Sequence, residues 1–256
     1  MTSARGHGYH DSVFVFGSNR LGIHGAGAAA FARQYRGAVI GQGEGLMGSS
    51  YALPTKADLG KTRGDPGRVL EIQEIAQHVD RFLDFARENP QHRFMVTAVG
   101  CGLAGFTHAE VAPLFTGAPE NCLLPGIWLQ MLQPESTPVR VIVAGSRTVM
   151  DPKRVEQALD RVLARFLKET LPLEIISGMA KGPDSFGRDW SLKRDIPVVE
   201  YPADWDLFGK RAGFLRNQEM AWYGTHLIAI WDGASNGTRH MIETARNDGL
   251  NVRVVV

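Results

Sequence analysis

The sequence predicts an α/β fold composed of two three-layer domains, the second with a mostly parallel sheet. Short apolar runs alternate with amphipathic helical patterns along the chain, and glycine-rich loops repeatedly follow the apolar runs. The polar segment 133–138, which holds two prolines, separates two stretches that each read as a complete α/β layer. We therefore predict domains at residues 1–133 and 139–256.

The first half is predicted to contain, in order, a strand at 12–16, a small-residue helix at 28–32, a long amphipathic helix capped by Asp65-Pro66, a strand at 94–99 and a helix with a capping box at Thr107 and Glu110. Glycines 17, 22, 25 and 27 lie between the first strand and the first helix.

The second half is predicted to contain strands at 139–144, 173–176, 197–200, 226–231 and 251–256, with a helix capped by Asp151-Pro152 and further helices near 184–194, 210–223 and 238–247. Strict alternation of strands and helices indicates right-handed crossovers and a mostly parallel sheet.

Composition narrows the class of protein. The 256 residues include 28 basic and 27 acidic side chains, which disfavours broad nucleic-acid binding. No apolar run is long enough to span a bilayer, and no signal-peptide segment is visible. Two cysteines and eight histidines show no disulfide framework and no metal-ligand spacing. We expect a cytoplasmic protein that needs no metal or cofactor.

The glycine loops of the second half predict a site for a phosphorylated ligand. Parallel strands gather their carboxyl ends at one edge of the sheet, where glycine lets the backbone approach a ligand and helix N-termini offer N–H groups to phosphate. Basic side chains can bind phosphate, and Asp184 and Asp232 can accept hydrogen bonds from ribose hydroxyls. For Asp184, the N-cap of a helix is an equally good role. The candidate ligand-binding residues are Gly145, Ser146, Arg147, Ser177, Gly178, Lys181, Gly182, Asp184, Arg216, Asp232, Gly233, Gly237 and Thr238. Trp205 and Trp231 can stack on a base or belong to the core or rim.

These motifs resemble those of the SLOG superfamily, in its YspA-type branch related to YpsA. The matching pieces are 141–147, 175–185, 201–205, 216–220, 231–233 and 237–238. The resemblance implies a Rossmann-like fold that binds nucleotides or NAD-derived molecules. The Lonely Guy phosphoribohydrolases of this superfamily carry a glutamate three residues after the threonine of their Gly-Thr motif, where this chain has Met241. That departure favours binding over hydrolysis.

The first half resembles a macro domain, the ADP-ribose-binding fold, in the branch that contains terminal ADP-ribose protein glycohydrolase. The matching pieces are 16–19 with 25–29, then 51–56, and 99–104. The resemblance implies a mixed sheet in this domain and implies that Lys56 can attack the ribose C1″; the alternative is that Lys56 is an exposed, charged side chain. The aspartate that assists in that branch is Ala104 here, so a group for proton transfer is missing.

Candidate ligand-binding residues of the first half are Gly17, Ser18, Asn19, Gly25, Gly27, Gln42, Glu44, Gly45, Gly100, Cys101 and Gly102. The glycine-dense segment 41–49 is predicted to wrap a diphosphate, with Glu44 or Gln42 reaching the distal ribose; the alternative is a surface connection. We expect Cys101 to be a small side chain near the pocket and not a nucleophile.

Together, these patterns favour a protein that binds ADP-ribose or a related NAD-derived nucleotide, free or attached to a macromolecule, in NAD and ADP-ribose metabolism or in defence or counter-defence signalling. The first alternative is a hydrolase of ADP-ribosyl or N-ribosyl bonds, by the Lys56 route or by SLOG-type phosphoribohydrolase chemistry. The second is single-stranded DNA binding like that of DNA-processing protein A, which the near-neutral charge disfavours. The SLOG resemblance also implies a homodimer.

Overall fold

The computed structural model describes residues 4–5, 12–58 and 67–256. The chain divides into two compact units, Gly8–Leu132 and Gln133–Val256 with Met1–His7. The predicted boundary assigned residues 1–133 to the first domain. The structure differs at the start of the chain, because strand β1 (Ala4–Arg5) pairs in parallel with residues 199–200 of the second unit.

The first unit is a mixed sheet of five strands with helices. Its elements are β2 (Val13–Asn19), α1 (Gly27–Tyr35), β3 (Gly45–Met47), β4 (Ser50–Lys56), α2 (Ile72–Glu88), β5 (Phe94–Val96), α3 (His108–Val111), β6 (Cys122–Leu123) and α4 (Gly126–Leu132). The strand order is β3-β4-β2-β5-β6, and β3 runs antiparallel to β4 while the other pairs are parallel. The apolar side of α2, including Val79 and Phe82, packs on the sheet in the core of this unit.

Helix α2 begins later than the sequence predicts. Asp65 and Pro66, the predicted cap, lie outside the described residues. The helix begins at Ile72, where Glu71 and Glu74 form a capping box and the Glu71 N–H donates to Glu74 Oε2 at 3.0 Å. Val69, which the helical pattern included, forms an isolated antiparallel bridge with Lys56. The extended chain at this bridge therefore delays the helix. The predicted capping box at Thr107 and Glu110 is present.

Besides β1, the elements of the second unit are β7 (Val139–Gly145), α5 (Pro152–Lys168), β8 (Leu173–Ser177), α6 (Pro183–Leu192), β9 (Val198–Glu200), α7 (Trp205–Phe208), α8 (Ala212–Tyr223), β10 (His226–Ile230), α9 (Asn236–Asn247) and β11 (Asn251–Val255). The strands form a six-stranded sheet in which every described pair is parallel, in the order β1-β9-β8-β7-β10-β11. The predicted cap of α5 is present, because Asp151 accepts from the Lys153 N–H.

Alternation along β7 gives this sheet two apolar faces. Val141 and Val143 join one buried cluster, and Ile142 and Ala144 join another on the opposite face. After β1 at the edge, the second unit's strands start with β7 in the middle, continue outward to β8 and β9, and then return to β10 on the other side of β7. Open α/β sheets bind ligands at such a switch point, outside the carboxyl ends of the strands.

The predicted fold class is confirmed: two α/β units, one with a mixed sheet and one with a parallel sheet, with helices on both sides. Across the described part of the chain, no helix combines the length and apolar character that crossing a bilayer requires.

Candidate functional site

A cavity of about 510 Å³ lies at the carboxyl edge of the second unit's sheet, beside the switch point between β7 and β10. The loops that follow β7, β8 and β10 all contribute to its walls, together with the α7–α8 segment and the first turn of α9. Its volume falls in the range of ligand-binding pockets, roughly 300–1,000 Å³. The three glycine loops of this half therefore converge on one site.

A buried ion pair lines this cavity. The Asp184 side chain is almost fully buried and its Oδ1 lies 3.9 Å from Nη1 of Arg216, which is also buried. Asp184 Oδ2 accepts a hydrogen bond from the Gly145 N–H at 3.3 Å. Burial raises the pKa of Asp184 to about 6, although the charge of Arg216 acts in the opposite direction. The N-cap of α6 is Gly182, so Asp184 is not the cap.

Arg216 joins the loops around the cavity into one network. Its guanidinium donates to the carbonyl of Gly178 and, through Nε, to Asn217 Oδ1 at 3.1 Å. Asn217 Nδ2 then donates to the carbonyl of Gly237 in the first turn of α9, at 3.2 Å. A Cβ at Gly178 would collide with the guanidinium, so a larger residue here would require the Arg216 side chain to shift. This network fixes the Arg216 and Asn217 side chains of α8 relative to the N-terminus of α9.

Two arginines, Arg147 and Arg216, line this cavity. Burial lowers the pKa of Arg216, Asp184 opposes that shift, and the nearby positive charge of Arg147 lowers the pKa further. Arg147 is exposed and lines the same cavity. Guanidinium groups remain charged at physiological pH, so like charges converge where an anion would be stabilised.

Asp232 organises the loop after β10. Its Oδ1 accepts from the N–H groups of Ala234 and Ser235, both at 2.9 Å, and its Oδ2 accepts from the Thr148 hydroxyl at 2.7 Å. Those hydrogen bonds, the one from Thr148 first, hold the pKa of Asp232 well below its usual range. The Asp232 N–H donates to Ser146 Oγ at 3.1 Å. The carboxylate predicted to accept from ribose is thus already engaged by three protein donors.

The structure brings part of the predicted set into the cavity wall: Gly145, Arg147, Asp184, Arg216, Asp232, Gly237 and Thr238. The other predicted residues do not line the cavity: Ser146, Ser177, Gly178, Lys181, Gly182 and Gly233. Ser177, for example, donates to the carbonyl of Asp184 at 2.9 Å. Thr148, Lys210, Phe214 and Asn217 also line the cavity without having been selected from the sequence. Of these four residues, only Asn217 lies in a segment that resembles the SLOG superfamily, 216–220.

A second cavity, of about 400 Å³, lies in the first unit, also at carboxyl ends of parallel strands. Its wall includes predicted residues Gly17, Ser18, Asn19, Gly25, Gly27, Lys56, Gly100 and Gly102. The N-terminus of α1 is part of this wall. The N-cap, Ala26, makes no side-chain cap hydrogen bond, and the first turn of the helix holds no acidic residue. This helix terminus can therefore accommodate an anion.

The loop that precedes α1 is shaped by its own polar side chains. Asn19 Nδ2 donates to the Ile23 carbonyl at 2.7 Å, and Asn19 Oδ1 accepts from the Ile23 N–H at 3.1 Å. The Ser18 hydroxyl donates to the carbonyl of Gly43. A Cβ at Gly43 would collide with the backbone of Asn19 and Arg20. Asn19 and Ser18 thus hold the cavity wall in place.

Gln42, Glu44, Gly45 and Cys101 do not line this cavity. Glu44 Oε1 lies 2.7 Å from His78 Nδ1 and accepts from Arg81 Nε at 3.0 Å. Although partial burial opposes it, these contacts from Arg81 and His78 hold the pKa of Glu44 below its usual value. The segment predicted to wrap a diphosphate is instead tied to α2 through Glu44 and contributes β3 to the sheet.

An open parallel sheet with a glycine-lined cavity at its switch point defines the second unit as a Rossmann-like α/β domain. Residues 139–208 match the YAcAr family, described as the YspA, cpYpsA-related SLOG family. The chain is also 34% identical over 119 residues to the gene 61 protein of Mycobacterium phage D29, across 44% of this chain and 93% of that protein. The chain belongs to this SLOG family through its second unit.

Among solved structures, the X-ray structure of DNA processing protein A from Streptococcus pneumoniae matches with a TM-score of 0.38 and 20% identity. The match covers 46% of this chain and 50% of that chain, so this chain spans about half the length of that protein.

The pH dependence of stability tests the burial of Asp184. Its pKa rises from 3.8 to about 6 in the folded protein, so the folded state holds this proton more tightly than the unfolded state. The resulting stabilisation is complete below the lower value and is lost as the pH rises through the higher one. Relative to Asp184→Asn, the wild type should lose up to about 3 kcal/mol of unfolding free energy across this window.

Urea titrations of the two proteins near the two ends of that window measure the difference. Asp248, whose pKa burial raises to about 7, titrates in an overlapping range, and the comparison between variants cancels its contribution. If both proteins show the same pH dependence, Asp184 is not buried as the structure has it.

Proposed function

We propose that the cavity of the second unit binds the phosphorylated ribose of a nucleotide, in the class of ADP-ribose and related NAD-derived molecules. The observation that carries this proposal is the convergence of Arg147 and Arg216 with the first turn of α9 in one cavity at the switch point of a parallel sheet. Membership of the SLOG family supports the nucleotide class.

The charges of the cavity favour an anion. Arg147 and Lys210 are exposed cations on its wall. Of the two lining carboxylates, Asp184 is paired with Arg216 and Asp232 is engaged by Thr148 and the loop N–H groups. The cavity therefore presents more positive than negative charge to an incoming phosphate.

Replacing Arg147 tests this proposal. We expect Arg147→Ala to weaken binding of ADP-ribose or AMP by about tenfold or more, because a charge-assisted hydrogen bond contributes about 1.5–3 kcal/mol. Isothermal titration of wild type and variant with ADP-ribose, NAD and AMP measures the effect. Arg154→Ala is the matched control, since Arg154 is exposed on α5 and does not line the cavity. Absence of binding to all three ligands in the wild type would refute the proposal.

For the first unit we propose a second site for the same class of ligand, on the strength of its macro-domain resemblance. The uncapped N-terminus of α1 and the glycines beside it support a diphosphate there. Together the two cavities predict a binding stoichiometry of up to two. An ADP-ribosyl group attached to a protein or nucleic acid is an alternative form of the ligand.

A substitution in the first turn of α1 separates ligand binding from folding. A glutamate at Ala28 should favour the helix dipole yet repel a diphosphate in the cavity. We therefore expect Ala28→Glu to keep the thermal midpoint and to lose ADP-ribose affinity at this site by about tenfold or more. Titration in the Arg147→Ala background isolates the site, and Ala28→Gln is the uncharged control. Equal affinity of the two Ala28 variants would place the ligand elsewhere.

Hydrolysis is the alternative for this cavity. Lys56 lies on the wall at the end of β4. In this alternative its Nζ forms a bond to C1″ of an ADP-ribosyl group as the bond from C1″ to the modified macromolecule breaks, and water then attacks C1″ to release ADP-ribose and regenerate the lysine. The described residues that form the wall include no Asp or Glu. Ala104, which stands where the assisting aspartate of the macro-domain branch would be, is part of this wall. Proton transfer by such a group contributes about a hundredfold or more in rate, so binding is favoured over turnover.

Release of ADP-ribose from an ADP-ribosylated protein decides between binding and turnover. We expect the wild type to release none above the uncatalysed rate. Release that Lys56→Ala abolishes and Lys153→Ala preserves would instead establish the hydrolase. Lys153 serves as the control because it is exposed and distant in sequence from this cavity wall.

A further inference from the structure

We infer that Trp205 and Phe214 form the nucleobase subsite of the second unit's cavity, and that the base they select is a purine. The inference rests on the proposed function, since it assigns the base of a nucleotide whose phosphate lies near Arg147 and Arg216. It adds the part of the ligand that the glycine loops and cations do not address.

Both aromatic side chains line the cavity and remain open to it. Trp205 is 52% exposed and Phe214 is 44% exposed, and neither belongs to an apolar cluster of the core. The second candidate from the sequence, Trp231, behaves differently: it packs against a core cluster, and its Nε1 donates to the Ser235 carbonyl at 3.2 Å. Of these two tryptophans, Trp205 is the one whose ring a ligand can reach.

The local structure holds the two rings at the cavity. Trp205 begins α7, whose N-cap Asp204 accepts from the Leu207 N–H at 2.9 Å. The Trp205 indole packs against the start of α8, because a Cβ at Gly213 would lie in van der Waals contact with it, at 3.4 Å. Phe214 follows directly on α8. The two aromatic rings thus come from neighbouring elements, α7 and the first turn of α8.

Phe214 is also connected to the anion-binding side of the cavity. Its ring meets His240 edge-on, with centroids 4.6 Å apart and an interplanar angle of 60°. His240 Nδ1 lies 3.4 Å from Asn217 Nδ2, and Asn217 in turn contacts Arg216. The aromatic and the cationic parts of the wall therefore belong to one connected set of side chains.

This arrangement suits a flat, apolar ring attached to a phosphorylated sugar. A base that stacks on an aromatic side chain gains about five- to hundredfold in affinity. Two partly exposed aromatic side chains on one cavity wall favour the larger stacking surface of a purine over that of a pyrimidine. The cavity, about 510 Å³, accommodates base, sugar and phosphate together.

A comparison of AMP with ribose 5-phosphate and UMP tests the inference. The wild type should bind AMP at least about fivefold more tightly than either of the other two. In Trp205→Ala and Phe214→Leu the AMP affinity should fall toward that of ribose 5-phosphate, while the affinity for ribose 5-phosphate stays unchanged. Leu207→Ala is the control, because Leu207 is 60% exposed on the same short helix and does not line the cavity.

The unchanged affinity for ribose 5-phosphate also shows that each variant is folded. Equal binding of AMP and ribose 5-phosphate by the wild type would overturn the base subsite and leave the proposed phosphate site standing. Equal binding of AMP and UMP would overturn the purine assignment. Loss of AMP affinity in Leu207→Ala to the same extent as in Trp205→Ala would assign the effect to α7 and overturn the stacking role. If the wild type bound none of the three probes, the proposed function itself would fail.

Discussion

The buried pair of Asp184 and Arg216 is the interaction on which the second unit's site depends. Removing one member of such a pair costs about 3–5 kcal/mol, because the other charge is left without a partner in a poorly solvated environment. Here the pair also links separate segments: Asp184 accepts from Gly145 at the end of β7, and Arg216 donates to Gly178 after β8. Both charged side chains are buried, so neither can exchange its partner for water, and the loops that hold them keep their positions.

The two units use the same edge of an α/β sheet in different ways. In the second unit the wall carries several charged side chains and its carboxylates are engaged, so that cations prevail on the ligand side. In the first unit the wall is made of small residues, with Lys56 as its cation among the described lining residues. Its capacity for an anion comes from the N-terminus of α1. Shape and backbone N–H groups thus matter more in the first cavity, and side-chain charge matters more in the second.

Much of this arrangement follows from the sequence, because strand periodicity and strand-end glycines are local signals. They predict the parallel sheet and the convergence of the loops at Gly145, Asp184 and Asp232. The role of Glu44 depends on His78 and Arg81, which lie far away in sequence, and no local pattern reveals it. The sequence does not reveal that Lys210 and Phe214 line the cavity. Both lie in a predicted helix, and a helical pattern gives no signal for a cavity wall.

Hydrogen exchange of the protein with and without saturating ADP-ribose tests the central claim, that the three glycine loops of the second unit form one anion-binding site. Backbone N–H groups in the segments 145–148, 178–184 and 232–238 should all gain protection together, at ligand concentrations that match the binding isotherm. Protection confined to one of these segments, or absent from all three while the ligand is bound, would contradict a shared site.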